Sequence, residues 1–147
     1  MYLYIGLHRE VIIFMSNHNL ELAIRFIEAI GDGKSGEELN EFYDETVLQV
    51  EYPNLLTKKI IERNLSQIKD ASISGKKVIS SQKYEIVKSF SSEDTVIIEA
   101  IWSGKLAIAL GNLNAGDEMK AYFAQFFEFK NHKIVNQRNY DCFENFL

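Results

Sequence analysis

The chain has little of what staples or interrupts a fold. A single cysteine, Cys142, among 147 residues leaves no internal disulfide. That usage fits a reducing compartment, and the cytoplasm is the expected location. A single proline, Pro53, leaves most of the chain free to form long elements. No apolar run approaches the roughly 20 residues that a helical membrane crossing needs. The opening MYLYIGLHREVIIF is interrupted by His8, Arg9 and Glu10 with no small-residue cleavage site after it, so it reads as neither a signal peptide nor a span. Positive charge is scarce as well. The net charge of -5, with no Lys/Arg cluster interleaved with aromatics, argues against a nucleic-acid partner. His8, His18 and His132 form no pair at ligand spacing, so no metal site is expected. No dinucleotide fingerprint follows a strand pattern, so no cofactor is expected either.

What is present is the composition of an ordinary globular protein, 46% hydrophobic and 25% charged. The length suits one domain that buries about two thirds of its unfolded surface. Met15-Ser16 reads like an alternative start, so residues 1–15 are assigned as a possible extension and 16–147 as the domain; an extra edge strand is the other reading of the first segment. Leu20, Ala23, Ile24, Ile27 and Ile30 recur at helical spacing and predict an amphipathic helix that stops at Gly31-Asp32-Gly33. Ser35 and Glu38 form a capping box for a short helix through Tyr43. Gly33-Lys34-Ser35 is not a phosphate loop, because Ala29 stands where the first glycine is required and a helix precedes it. A strand over Val47–Tyr52 ends at Pro53, and a helix is predicted over Lys58–Ile73. Four long β segments follow, Val78–Phe90, Thr95–Ala109, Glu118–Lys130 and Lys133–Phe146, with turns at Ser91–Asp94, Gly111–Gly116 and Asn131-His132. Helices first and then an antiparallel meander predict an α+β fold with about three N-terminal helices on one face of the sheet.

The segment Glu118–Lys130 is apolar on both parities, with Met119, Phe123, Phe127 and Phe129 on one side and Tyr122, Ala124 and Phe126 on the other. Helices cover only one face, so the second is expected to meet another copy of the chain in a homodimer.

The element order, the segment LNEFYDETVLQVEYP and the closing hairpin FFEFKNHKIVNQRNYDCF resemble the SnoaL-like, nuclear-transport-factor-2-like family. The resemblance covers roughly Leu20 to Phe146 and implies a curved antiparallel sheet closing into a cone around a small-molecule pocket. Family members use that pocket for isomerisation, aldol cyclisation, epoxide hydrolysis or plain binding, and fold does not choose among them. The ketosteroid isomerase positions fall on Phe26, Tyr52 and Gln125. Phe26 has no proton to donate and Tyr52 is a weak carbon-acid base. The epoxide hydrolase positions fall on Asn139 and near Ala100 and Trp102, and an amide cannot take up a proton at neutral pH. Neither mechanism is supported as it stands.

The expected pocket lining is therefore Tyr52, Trp102, Gln125, Phe127, Gln137 and Asn139, an aromatic box with amides suited to a neutral, partly apolar small molecule. Glu51 is the alternative to Tyr52 at the mouth, depending on strand twist. Packed core with satisfied amides is the competing reading of the same residues. Asp141 shares a strand face with Asn139 and is the candidate acid or base; a solvated or Arg138-paired carboxylate near the strand end is its other reading. Cys142 alternates away from Asp141 and is expected as a buried structural thiol. Asn64-Leu65-Ser66 matches a glycosylation sequon without a secretory signal, and is read as chance. Two functions remain open: a small-molecule-binding protein, catalytic or not, and a non-catalytic dimeric interaction module. An enclosed space above about 300 Å³ with converging amides marks the first and a filled core the second.

Overall fold

A computed structural model describes residues 18–147, so the reading of residues 1–15 and His8 lies outside the described residues. The described part of α1 covers 18–31 and is followed by a 3-10 helix, Gly36–Glu41. Strands β1 (Tyr43–Glu51) and β2 (Ile61–Arg63) precede α2 (Leu65–Gly75). Four long strands then follow: β3 (Ile79–Ser92), β4 (Thr95–Leu106), β5 (Glu118–Lys130) and β6 (Lys133–Phe143). They form one six-stranded sheet in the order β2-β1-β6-β5-β4-β3. The α+β class holds, with one departure from the all-antiparallel expectation: β1 and β6 run parallel. The helical segments between and before the strands make that crossover possible.

Local chemistry sets several boundaries differently from the sequence pattern. The short helix stops at Glu41 and Tyr43 already belongs to β1. The predicted Lys58–Ile73 helix begins only at Leu65. The Asn64 side chain accepts from the Gln67 N–H, and the Gln67 side chain accepts from the Asn64 N–H, a reciprocal cap that fixes the start. The three residues before it pair with β1 instead. Asn64 is thus a helix cap. The Asn131-His132 turn has φ of 49° and 61°, the two-residue hairpin turn whose twist matches the flanking strands.

The sheet curves through register shifts in β1, β3 and β6 pairings, and its concave face receives α1. Ala23, Phe26 and Ile27 of α1 are buried there with Val96, Ile98, Phe127 and Ile134. The Phe26 ring meets Phe42, Tyr43 and Phe127 edge-on at 5.5, 5.4 and 5.5 Å. Each such fully buried ring contributes roughly 1.5–3 kcal/mol. The other end of the concave face is filled differently, by Trp102, Leu106, Met119, Phe123 and Phe146. The C-terminal segment beyond Phe143 leaves the sheet and seats Phe146 in this cluster, where the Asn112 N–H donates to the Phe146 carbonyl at 2.6 Å. Gly111, at φ 57°, is required beneath it, since a Cβ there would run into the Phe146 carbonyl.

The convex face carries the opposite parity. Tyr122, Tyr140 and Leu48 are 45%, 41% and 39% exposed there. Cys142 lies on this parity as the ladder partner of Tyr122 and is exposed, which corrects its expected burial. Among the described residues no helix is long and apolar enough to cross a membrane.

Gly104 sits beneath the Trp102 indole, and a Cβ there would overlap the ring. Gly104→Ala should lower the denaturant midpoint by the equivalent of about 1–3 kcal/mol. Adding Trp102→Phe should recover part of the loss; an additive double variant contradicts the overlap.

Candidate functional site

Between the two packed ends of the concave face lies a cavity of about 220 Å³ with one apolar and one polar wall. Phe26, Ile27, Ile30, Leu39 and Ile68 supply the apolar wall from the helical side. The polar wall is built by strand alternation. β6 presents Gln137 and Asn139, β5 presents Gln125, and β1 presents Gln49 and Glu51. The ladder sets these side by side: Gln49 pairs with Gln137, and Glu51 and Gln125 both pair with Asn139. Arg63 lines the cavity from β2, its Nη1 2.8 Å from Glu51 Oε2 with both side chains largely covered. The volume falls below the 300 Å³ mark while the converging amides are present. Trp102, Phe123 and Phe146, packed at the other end, are what makes the space small.

Gln125, Gln137 and Asn139 are brought together; Trp102, Phe127, Tyr52 and Asp141 are not among the cavity residues. Trp102 stacks on Phe123 at 5.6 Å and donates its indole N–H to Gln82 Oε1 at 2.9 Å. Phe127 is fully buried against Phe26. Tyr52 stacks on Tyr140 at 4.5 Å, a residue of the convex face, so the strand turns Glu51 inward and Tyr52 outward. Ala100 is core. Tyr43, Gln49, Arg63 and Tyr84 were not singled out by sequence. The alternation Gln49-Val50-Glu51 held a signal for Gln49 and Glu51, whereas Arg63 lay inside a segment with a helical apolar pattern.

Asp141 continues the inward parity of β6, two residues past Asn139 and opposite Phe123 on the ladder. Its Oδ1 is buried without a hydrogen-bond partner. Burial first, and then the negative charge of Glu51, push its carboxyl up from 3.8 to about 7. Tyr84, a cavity residue, is raised well above the phenol range by burial, with a further push from the Asp141 charge. Gln125 is 7% exposed and its side chain has no hydrogen-bond partner among the described residues. An acid balanced near neutrality beside unpartnered amides can exchange a proton with a bound molecule and stabilise charge on it. A larger groove of about 450 Å³ beside the Asn131-His132 hairpin is edged by exposed Glu93, Asp94 and Lys130, and holds no buried acid. His18 and His132 meet edge-on there at 4.5 Å. Among the described residues no three His, Cys, Asp or Glu side chains group as metal ligands.

The raised Asp141 carboxyl has a consequence for stability. The fold holds the proton more tightly than the unfolded chain, so this group's effect on stability worsens from about pH 4 to about pH 7 and is constant above. Asp141→Asn should therefore be more stable than the parent at pH 8, by up to about 4 kcal/mol, with the gap closing towards pH 4. Urea titrations at the two pH values check this; equal stabilities at pH 8 contradict it.

No family model and no curated protein matches the chain. Solved structures do. A SnoaL-like polyketide cyclase from Agrobacterium tumefaciens is similar at a TM-score of 0.64 and 14% identity, over 84% of this chain and 90% of that one. An NTF2-like protein from Anabaena variabilis is similar at 0.66 and 18%, over 88% and 92%. A phenazine biosynthesis-related protein from Pseudomonas aeruginosa is similar at 0.68 and 15%, over 90% and 78%. Identities this low speak to architecture alone. With its curved sheet, its helices on the concave side and these matches, the chain has the SnoaL-like, nuclear-transport-factor-2-like fold.

Proposed function

We propose that the cavity binds a small, neutral, partly polar molecule and that Asp141 exchanges a proton with it, as an isomerase, cyclase or hydrolase would require. The observation that carries this reading is the Asp141 carboxyl: half-buried, with one oxygen sealed off and unpartnered, and raised to about 7 at a position two residues along β6 from the cavity residue Asn139. A structural carboxylate would be paired or solvated, and keeping one of its oxygens dry and unpartnered costs stability. Gln125 and Asn139 orient the ligand. Tyr52, Trp102 and Phe127 act at a distance in this scheme, by packing the strands that carry the amides. The cyclase and phenazine-related names of the similar structures lend the small-molecule reading support by analogy of fold.

The ligand is a small one. About 220 Å³ corresponds to about seven water volumes at roughly 30 Å³ each. A thermal-shift screen of small hydroxy and keto compounds should yield one that stabilises the parent protein, and a ligand at 100 times its Kd adds about 2.7 kcal/mol. Gln125→Leu or Asn139→Leu should erase that shift while the domain stays folded. For a turned-over compound, the rate should change with a midpoint near pH 7 that vanishes in Asp141→Asn. Unchanged binding in both leucine variants contradicts the assignment.

The second reading is a dimeric interaction module, and the convex face favours it. Tyr122, Tyr140 and Leu48 stand exposed there, with Phe126 beneath the Arg138 guanidinium at 5.5 Å from its ring. A homodimer through this face serves either reading, in the cytoplasm, where exposed Cys142 stays reduced. Light scattering should give twice the chain mass at micromolar concentration; a monomer contradicts it.

A further inference from the structure

The polar wall of the cavity is wired in one direction. Arg63 has only donors to offer, and its Nη1 donates to Gln49 Oε1 at 3.3 Å. With its oxygen taken, Gln49 turns its NH2 onward, and Nε2 lies 3.5 Å from the Tyr43 hydroxyl and 3.4 Å from Gln137 Oε1. The Tyr43 hydroxyl donates to that same Gln137 oxygen at 2.5 Å. Burial holds Tyr43 neutral and therefore a donor. Gln137 then has only its NH2 left to give, and Nε2 donates to Asn139 Oδ1 at 2.9 Å. Each link consumes an acceptor and passes a donor to the next residue. The last residue is Asn139, whose NH2 has no partner among the described residues and which lines the cavity. Next to it on the ladder stands Gln125, nine-tenths buried and equally unpartnered.

We infer that Tyr43 and Gln137 are positioning residues that fix the polarity of Asn139, so that its NH2 faces the cavity and the site selects ligands with an acceptor oxygen, such as a carbonyl. This rests on the cavity being a ligand site and names the ligand class it takes. A reversed Asn139 would set its oxygen against the cavity and leave Gln137 Nε2 donating to an NH2 group, an unmade hydrogen bond in a buried place. The polarity is therefore a property of the wall and precedes any ligand. It also distinguishes two roles: Asn139 touches the ligand, whereas Tyr43 and Gln137 act through Asn139.

The test uses two probes of one shape, acetophenone and α-methylstyrene, which differ in a carbonyl oxygen against a methylene group. Their affinities are read by titration of the amide resonances of the full chain. In Tyr43→Phe the affinity ratio of acetophenone to α-methylstyrene should fall by up to about tenfold from that of the parent, with α-methylstyrene itself unchanged. Gln137→Glu supplies only acceptors, so it should turn Asn139 around and lower the ratio further. In the unmodified protein, acetophenone should shift the Asn139 NH2 resonances more than those of Gln137, a readout that needs no variant. Binding of both probes with a ratio unmoved in the folded variants overturns the polarity inference alone. Larger shifts at Gln137 than at Asn139 do the same. A parent protein that binds neither probe counts against the ligand-site reading and removes the inference with it.

Discussion

One strand, β6, crosses from an oily region to a polar one along its inward face, and the site depends on that crossing. Gln137, Asn139, Asp141 and Phe143 share the parity. Phe143 packs with Trp102, Phe123 and Phe146, while Gln137 and Asn139 meet Tyr43, Gln49 and Gln125. Asp141 stands at the border. Its ladder neighbour is Phe123, so water and hydrogen-bond donors are withheld from one of its oxygens, and the proton stays on to near pH 7.

The aromatic cluster and the acid are parts of a single arrangement. Filling one end of the cone with Trp102, Phe123 and Phe146 shortens the cavity and dries the place where the carboxyl ends. A carboxyl in that position is costly, and the cost is offset by rings that bury their full area on the same strands. The polar half is organised the other way, by satisfaction: the Glu51–Arg63 pair at 2.8 Å and the amide chain leave few groups without partners. Among the described residues, the side chains of Gln125 and Asn139 that face the cavity keep unpartnered amide groups, and the unpartnered Asp141 oxygen lies two residues further along β6.

The class of the fold was legible because long alternating runs and a capped helix carry unambiguous periods. The inward face of Gln125, Gln137, Asn139 and Asp141 was legible for the same reason, since alternation alone assigns it. Trp102 and Phe127 were assigned to a box because an inward aromatic has the same signature whether it lines a space or fills it. Tyr52 came from the ketosteroid isomerase resemblance with Glu51 as its alternative, and the parity of β1 places Glu51 inward. Arg63 and Tyr43 were hidden by short-range patterns: Ile61, Leu65 and Ile68 look helical together, although the Asn64 cap separates a three-residue strand from the helix. The parallel pairing of β1 with β6 couples residues more than 80 positions apart, as the Gln137 and Gln49 contact does. No local pattern encodes that. Cys142 was placed on the correct parity and given the wrong burial, because the outward face was read as already covered.

The fold keeps a carboxyl protonated to near neutrality at the border of an amide-lined cavity. The most direct measurement of this is the carbon-13 resonance of the Asp141 side-chain carboxyl followed from pH 3 to pH 9. A single titration with its midpoint near 7 is expected. A midpoint near 4, the value of a solvated aspartate, would contradict it.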